Sequence, residues 1–423
     1  MTGHDSRSAM LAALTRPSAR SDPYPLWRRL REMSPATAGP DGAMVLVGRH
    51  ADCDRVLRDP AMSSDYRRAP TLSAVPQTRM FVTLDPPDHT RLRRLVSKAF
   101  TPRAIAALEP QVRATVDELL SAADPRAFDV MSGLAYPLPL RMICHLLGVP
   151  PSDHGLFADW SNRLAHGLDA LMFRGDLADR EQAQSEFAAY FSDLIAQRRR
   201  QDRQDLLSRL LRVEEDGDRL TEGDLLGTLT LLLTAGHETV ANLIGNTLLA
   251  LLRNPAQLTA LRADRTLVAG AVEETLRYDP PVQLVTRTVR GASHIGGIEV
   301  PDRTLVLVIL AAAGRDPDAF QDADRYDIRR RCAAHLAFSA GPHFCLGASL
   351  ARLQTAVAFE AIANRAAEPE LLDVSHKPTV VMRGPQRLIV RADGIERRPD
   401  RVRIGFGARR AKTTSGAQGV PEP

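Results

Sequence analysis

A cysteine is set among glycines in Phe338-Ser339-Ala340-Gly341-Pro342-His343-Phe344-Cys345-Leu346-Gly347, which leads straight into an apolar-periodic stretch from about Ala348. The periodicity predicts a helix, and a helix N-terminus offers unpaired N–H groups and a partial positive charge to whatever lies beside it. A sulfur placed there is held as the thiolate, the form that ligates iron and pushes electron density toward an oxygen ligand. Gly341 and Gly347 are expected to let the backbone turn tightly and approach a flat cofactor, and Phe338 and Phe344 to keep water away. The plainer alternative, a small buried cysteine, calls for neither the glycines nor His343.

A second constellation, Ala235-Gly236-His237-Glu238-Thr239, falls in the middle of an apolar stretch. Leu225, Leu229, Leu232, Leu233, Val240, Leu243, Ile244, Leu248 and Leu251 recur at helical spacing, which predicts a buried helix of roughly 30 residues, about 45 Å. Thr221-x-x-Asp224 reads as its capping box and Asn254-Pro255 as its stop. Polar residues inside such a helix need a reason. Thr239 can bond back to the carbonyl one turn earlier and open the helix, while Gly236 leaves room for a small ligand. From the pentapeptide alone, a kink with a surface acid explains the residues equally well.

A third pair, Glu274 and Arg277, lies on the next helix at spacing i, i+3, which puts both charges on one face; an ordinary solvated pair fits that spacing too. Asp327-x-x-Arg330 follows before the cysteine loop. Elsewhere, helical periodicity dominates, with β-like stretches at Ala43–Val47, Val285–Val289, Thr304–Leu310 and Leu388–Val390. The layout predicts a mainly α fold with a minor β component.

From Pro23 to Gly394 the chain resembles the cytochrome P-450 family of soluble bacterial type. The resemblance implies a triangular-prism fold with a long central helix over haem b (iron protoporphyrin IX), as one catalytic domain over 23–394 flanked by an N-terminal arm (1–22) and a tail (395–423). It implies Cys345 as the iron ligand and Glu238 with Thr239 as the pair that delivers protons during oxygen activation. His89 and Arg93, one turn apart after Asp85-Pro86-Pro87, together with Arg287 and His343, match the partners of the haem carboxylates; taken singly each reads as a surface residue. Phe338 and Gly347 complete the cofactor contacts. Glu274, Arg277 and Arg330 are implied to brace the cysteine loop. Two positions depart from the family pattern: Ser339 replaces a common glycine, and Gly314 precedes Arg315-Asp316-Pro317 where asparagine is usual. Neither removes a catalytic group.

The implied activity is a monooxygenase that uses O2 and two electrons to hydroxylate or epoxidise a medium-sized lipophilic substrate such as a polyketide, macrolide or terpenoid. No Fe–S cysteine set, P-loop or dinucleotide-binding glycine motif is present, so a separate ferredoxin and ferredoxin reductase are expected as electron donors. The alternatives are a peroxide-driven peroxygenase, which the Glu238-Thr239 pair disfavours, and a haem-thiolate recruitment protein without turnover. By position, substrate contacts are expected from Tyr66–Phe81, Leu164–Phe173, Leu231–Ala235, Val282–Val285 and Val380–Met382, which are mostly aliphatic.

Composition narrows the setting. The formal charge of +4 over 423 residues lies in the Arg-rich tail, leaving a balanced body that does not argue for nucleic acid. The tail itself reads as solvated and disordered. The N-terminus lacks an apolar stretch long enough for a signal or anchor, and Leu305–Ala313 is too short to span a bilayer. Cys53, Cys144, Cys332 and Cys345 are scattered. A soluble, cytoplasmic monomer without membrane association is expected.

Overall fold

The computed structural model describes residues 12–38, 44–73, 79–98, 100–173, 175–201, 203–212, 214–215, 218–331 and 334–396, together with Ala9. Its α-helices of nine residues or more are α1 (Tyr24–Glu32), α2 (His50–Arg58), α3 (Asp88–Ser97), α4 (Glu109–Ser121), α5 (Pro137–Leu147), α6 (His154–Phe173), α7 (Ala178–Arg200), α8 (Glu222–Gly236), α9 (Glu238–Arg253), α10 (Pro255–Ala263), α11 (Val268–Tyr278) and α12 (Ala348–Arg365). The strands in chain order are β1 (Ala36–Ala38), β2 (Met44–Val47), β3 (Met62–Ser63), β4 (Phe128–Asp129), β5 (Glu214–Glu215), β6 (Asp218–Arg219), β7 (Val285–Val289), β8 (Ser293–Ile295), β9 (Ile298–Val300), β10 (Leu305–Val308), β11 (Glu370–His376) and β12 (Pro385–Arg391). The expected mainly α fold with a minor β component is what forms.

The central helix is built from α8 and α9. Its start is the expected capping box: Thr221 Oγ1 accepts from the Asp224 N–H at 3.1 Å, and Asp224 Oδ2 accepts from the Thr221 N–H at 3.1 Å. The long helix expected from the periodicity opens near Thr239, as that residue allowed, with the interruption at His237, φ −95° and ψ −69°. The Thr239 hydroxyl donates to Ala235 O at 2.5 Å, the i−4 back-bond that bends helices. Beyond the break, Val240 to Leu251 are buried without exception, and α9 packs against α5, α11 and α12.

The larger sheet has the order β1-β2-β10-β7-β3, with β2 and β10 parallel and the other pairings antiparallel. Strand β10 is buried at every position, as expected for a short continuous apolar run. The expected strand Thr304–Leu310 is shorter than read, because Leu310 begins a helical turn, Leu310–Ala313; alanine and leucine favour helix once the β-branched run ends. Ala43, the expected first residue of β2, lies outside the described residues. A second sheet, β11-β12-β4, contains the expected stretch Leu388–Val390. The expected N-terminal arm is partly docked: Leu14 and Ala19 are buried, and Arg383 donates to the carbonyls of Arg20 and Ser21. The tail from Arg397 onward lies outside the described residues. Among the described residues, no helix is long and apolar enough to cross a membrane.

Candidate active site

The cysteine loop ends where expected, with Gly347 as the N-cap of α12. The Cys345 N–H donates to Phe338 O at 2.9 Å and closes the loop. Gly341 has φ +64°, and a Cβ there would stand 2.9 Å from Leu57 O, so glycine is required. Gly347 differs from expectation. Its φ is −84° and nothing lies within 4 Å of a Cβ placed there, so its bareness leaves open space beside the sulfur rather than serving the turn. Phe338 is buried, whereas Phe344 is 43% exposed; only one of the two rings expected to exclude water is packed away.

The Cys345 thiol is accessible yet enclosed on most sides. That enclosure pushes its pKa up, while the Gly347 N–H and the guanidiniums of Arg93 and Arg352 pull it down. A coordinated cation would complete the deprotonation. The departure at Ser339 carries a cost: it adopts φ +62°, and its buried hydroxyl has no hydrogen-bond partner among the described residues. Ser339→Gly should therefore raise stability by about 1 kcal/mol, read from the urea midpoint of the haem-free protein; an unchanged or lower midpoint would refute the strain.

The expected basic residues come together. His89 and Arg93 lie on α3, Arg287 on β7 opposite Val306, and the rings of His89 and His343 stand 4.0 Å apart. Arg93 Nη2 donates to Phe344 O at 2.5 Å, tying α3 to the cysteine loop. Arg287 is buried and, among the described residues, donates only to Thr286 O, at 2.7 Å. Neither ring nitrogen of His89, nor Nδ1 of His343, has a partner among the described residues. Burial, then the charges on His89, Arg287 and Arg93, push His343 down to about 3. Burial likewise lowers His89, and lowers Arg287 to about 10. Two guanidiniums and two imidazoles with unused donor capacity, none of them in an ion pair with a carboxylate among the described residues, fit a ligand bearing two acids. Haem is such a ligand, and the open space at Gly347 lies at the loop that would face it.

Glu274, Arg277 and Arg330 come together as expected, although their hydrogen bonds hold the 314–327 segment that precedes the cysteine loop and not the loop itself. Arg277 and Glu274 are both fully buried, joined by Nη2–Oε1 at 2.7 Å and Nε–Oε2 at 2.8 Å. Arg330 Nε reaches Glu274 Oε1 at 3.2 Å. Arg277 also donates to Gly314 O, Ala323 O and Arg325 O. The departure at Gly314 is explained here, because a Cβ would stand 2.1 Å from Arg277 O.

On the opposite side, Ala235 is exposed, and Leu231, Leu232, Thr234, Gly236 and Thr239 are partly so, in the middle of an otherwise buried helix. This face borders open space rather than packed core. Tyr66, Leu72, Leu284 and Val380 to Met382 share one apolar cluster, against which Leu168, Leu171 and Val282 pack. Four of the five expected substrate stretches therefore meet; residues 74–78 of the first lie outside the described residues. Sequence reading missed Asp169, whose carboxylate accepts from the N–H groups of Val380 and Val381 at 2.6 and 2.9 Å and so pins one stretch to α6. It also missed His237, which bridges Ser161 Oγ at 2.7 Å and Tyr136 O at 3.1 Å. Lys377 was missed as well; its ammonium pairs with Glu238 Oε1.

A family model described as Cytochrome P450 matches residues 165–365. Cytochrome P450 monooxygenase PikC from Streptomyces venezuelae is 44% identical over 389 residues, 88% of this chain and 91% of that one. The chain belongs to the cytochrome P450 family. Erythromycin C-12 hydroxylase from Saccharopolyspora erythraea is 41% identical over 328 residues, 75% of this chain and 81% of that one. The ligand-free crystal structure of CYP164A2 from Mycobacterium smegmatis superposes with a TM-score of 0.87 at 44% identity, covering 91% of this chain and 100% of that one. The protein is a cytochrome P450 monooxygenase with the P450 fold and a haem-thiolate cofactor.

Proposed function

We propose that residues 23–394 form one catalytic unit that binds haem b through Cys345 and oxidises a medium-sized lipophilic substrate, such as a macrolide, by hydroxylation or epoxidation in secondary metabolism. The observation that carries this reading is the set of four basic side chains, His89, Arg93, Arg287 and His343, without an ion-pair partner among the described residues, gathered at a cysteine that precedes a helix N-terminus. These groups would hold the haem carboxylates, with Phe338 and Gly347 at the sulfur side. When bound, haem supplies the activation of O2.

The chain's own residues do the rest. Thr239 presents a hydroxyl at the interrupted helix, and Glu238 passes protons toward it. The aliphatic walls from Tyr66 to Leu72, Leu164 to Leu171 and Val380 to Met382 hold substrate by shape and exclude water. The macrolide assignment draws support from PikC and from the erythromycin hydroxylase. An exposed Phe344 beside Arg93 offers a partly apolar, cationic spot for an acidic electron carrier, consistent with a separate ferredoxin and its reductase in the cytoplasm.

Thr239→Ala tests the proton role. The variant should keep haem and its carbon monoxide spectrum while diverting electrons to hydrogen peroxide, with product per NADPH falling by about 10-fold or more. Coupling equal to the parent enzyme would overturn the assignment.

A further inference from the structure

Glu238, Asn242 and Asn246 recur at i, i+4 and i+8 on α9, a polar stripe inside a buried helix. They face the turn between β11 and β12. Asn246 Nδ2 donates to Asp279 O at 3.0 Å and to Arg383 O at 3.1 Å. Asn242 is fully buried against Gly384, where a Cβ would stand 2.3 Å from Asn242 Oδ1, so the turn carries glycine to admit the amide. Asn242 Oδ1 accepts from Lys377 Nζ at 2.6 Å, and the same ammonium bonds Glu238 Oε1 and lies 4.6 Å from the centroid of the Tyr136 ring. The Lys377 and Glu238 side chains are only 7% and 5% exposed. Glu238 Oε2 has no hydrogen-bond partner among the described residues.

The choice of lysine is informative. The chain contains 52 arginines and three lysines, and other buried ion pairs, Arg198–Asp205, Arg277–Glu274 and Arg383–Asp279, use arginine. Arginine is the usual cation for such pairs because its charge is permanent, whereas a buried ammonium gives up a proton readily. Burial lowers the pKa of Lys377. The pair also has a route to solvent. It lies in the wall of a cleft of about 1090 Å³ between α4, α5, α6 and the β11–β12 turn, whose outer wall carries His145, Asn162 and His166, all exposed.

We infer that Lys377 is the group through which Glu238 exchanges protons with solvent. The ammonium gives one proton to Glu238 Oε1, breaking an N–H bond and forming an O–H bond. The neutral amine then regains a proton from a hydronium in the cleft, which leaves as water. The neutral carboxyl then rotates, which the unpartnered Oε2 permits, so that its O–H faces Thr239; that O–H bond breaks as the proton passes on, and Glu238 returns to the carboxylate. The inference rests on the reading of Glu238 and Thr239 as the proton-delivering pair.

The test uses haem-loaded protein with a ferredoxin, its reductase and NADPH, following oxygen consumption in H2O and D2O. Glu238→Gln is the reference and should slow turnover by about 10-fold or more. Lys377→Arg keeps the charge and the carbon monoxide spectrum, and should slow turnover comparably with a larger solvent isotope effect. Lys377→Ala should regain rate with added ethylammonium, a response that a merely structural role would not give. In haem-free protein, the infrared carboxyl band assigned by its loss in Glu238→Gln should move in Lys377→Ala. A parent-like rate and isotope effect in Lys377→Arg, with Glu238→Gln slow, would overturn the role of Lys377 alone. So would a failure of ethylammonium to rescue, or an unmoved band. A parent-like Glu238→Gln would instead overturn the proton-delivery reading on which it rests.

Discussion

Cys345→Ser should abolish monooxygenase turnover while leaving the fold in place. The serine side chain is nearly isosteric, and the loop is closed by backbone, through the Cys345 N–H on Phe338 O and the left-handed Gly341, neither of which needs sulfur. What is lost is the charge. The Gly347 N–H, Arg93 and Arg352 favour an anion at this position against the opposing effect of burial; with a coordinated cation they suffice for a thiol and fall far short of ionising an aliphatic hydroxyl. The checks are product formation together with far-ultraviolet circular dichroism. A variant that folds and still turns over at the parent rate would remove Cys345 from its assigned place.

Arg277→Met should be the most destabilising single substitution in the molecule. The guanidinium makes five hydrogen bonds, two to Glu274 and three to the carbonyls of Gly314, Ala323 and Arg325. Truncation leaves a fully buried carboxylate whose remaining cationic partner is Arg330, a loss of about 3–5 kcal/mol for a buried pair broken on one side. Adding Glu274→Leu should recover part of that loss by removing the stranded charge. The carbonyls of Gly314 and Ala323 still lack their guanidinium donor, while Arg325 O keeps Arg330 Nη2 at 3.2 Å, so recovery stays partial. Urea unfolding of the haem-free single and double variants measures both quantities; a loss under about 1 kcal/mol for Arg277→Met would mean that the cluster does not hold the 314–327 segment.

Sequence made the chemistry legible wherever it is local. The cysteine loop and the capping box at Thr221 each lie within a few residues and could be read from spacing, whereas Glu238-Thr239 and Glu274–Arg277 were visible as local pairs but took their buried roles only from the family resemblance. The basic cluster was legible only through the family resemblance, because His89, Arg287 and His343 are far apart in sequence and each reads singly as surface. Contacts made by distant segments were not legible at all. Lys377 meets Glu238 across 139 positions, and His237 meets Ser161 across 76. Neither side chain announces a partner. Strand β11 was missed because none of its seven residues is fully buried, giving no period-two alternation to read. The opening of the helix was legible from Thr239, but its position at His237 was not, because helical periodicity continues through it on both sides.

The most direct test of the account is the absorption spectrum of the purified protein, reduced with dithionite and exposed to carbon monoxide. Iron held by the Cys345 thiolate should give the strongly red-shifted Soret band from which the P450 family takes its name, and Cys345→Ser should lose it. A Soret band at the position of a histidine or neutral-thiol complex in the parent protein, or a thiolate band that survives in Cys345→Ser, would contradict the assignment of Cys345 as the ligand.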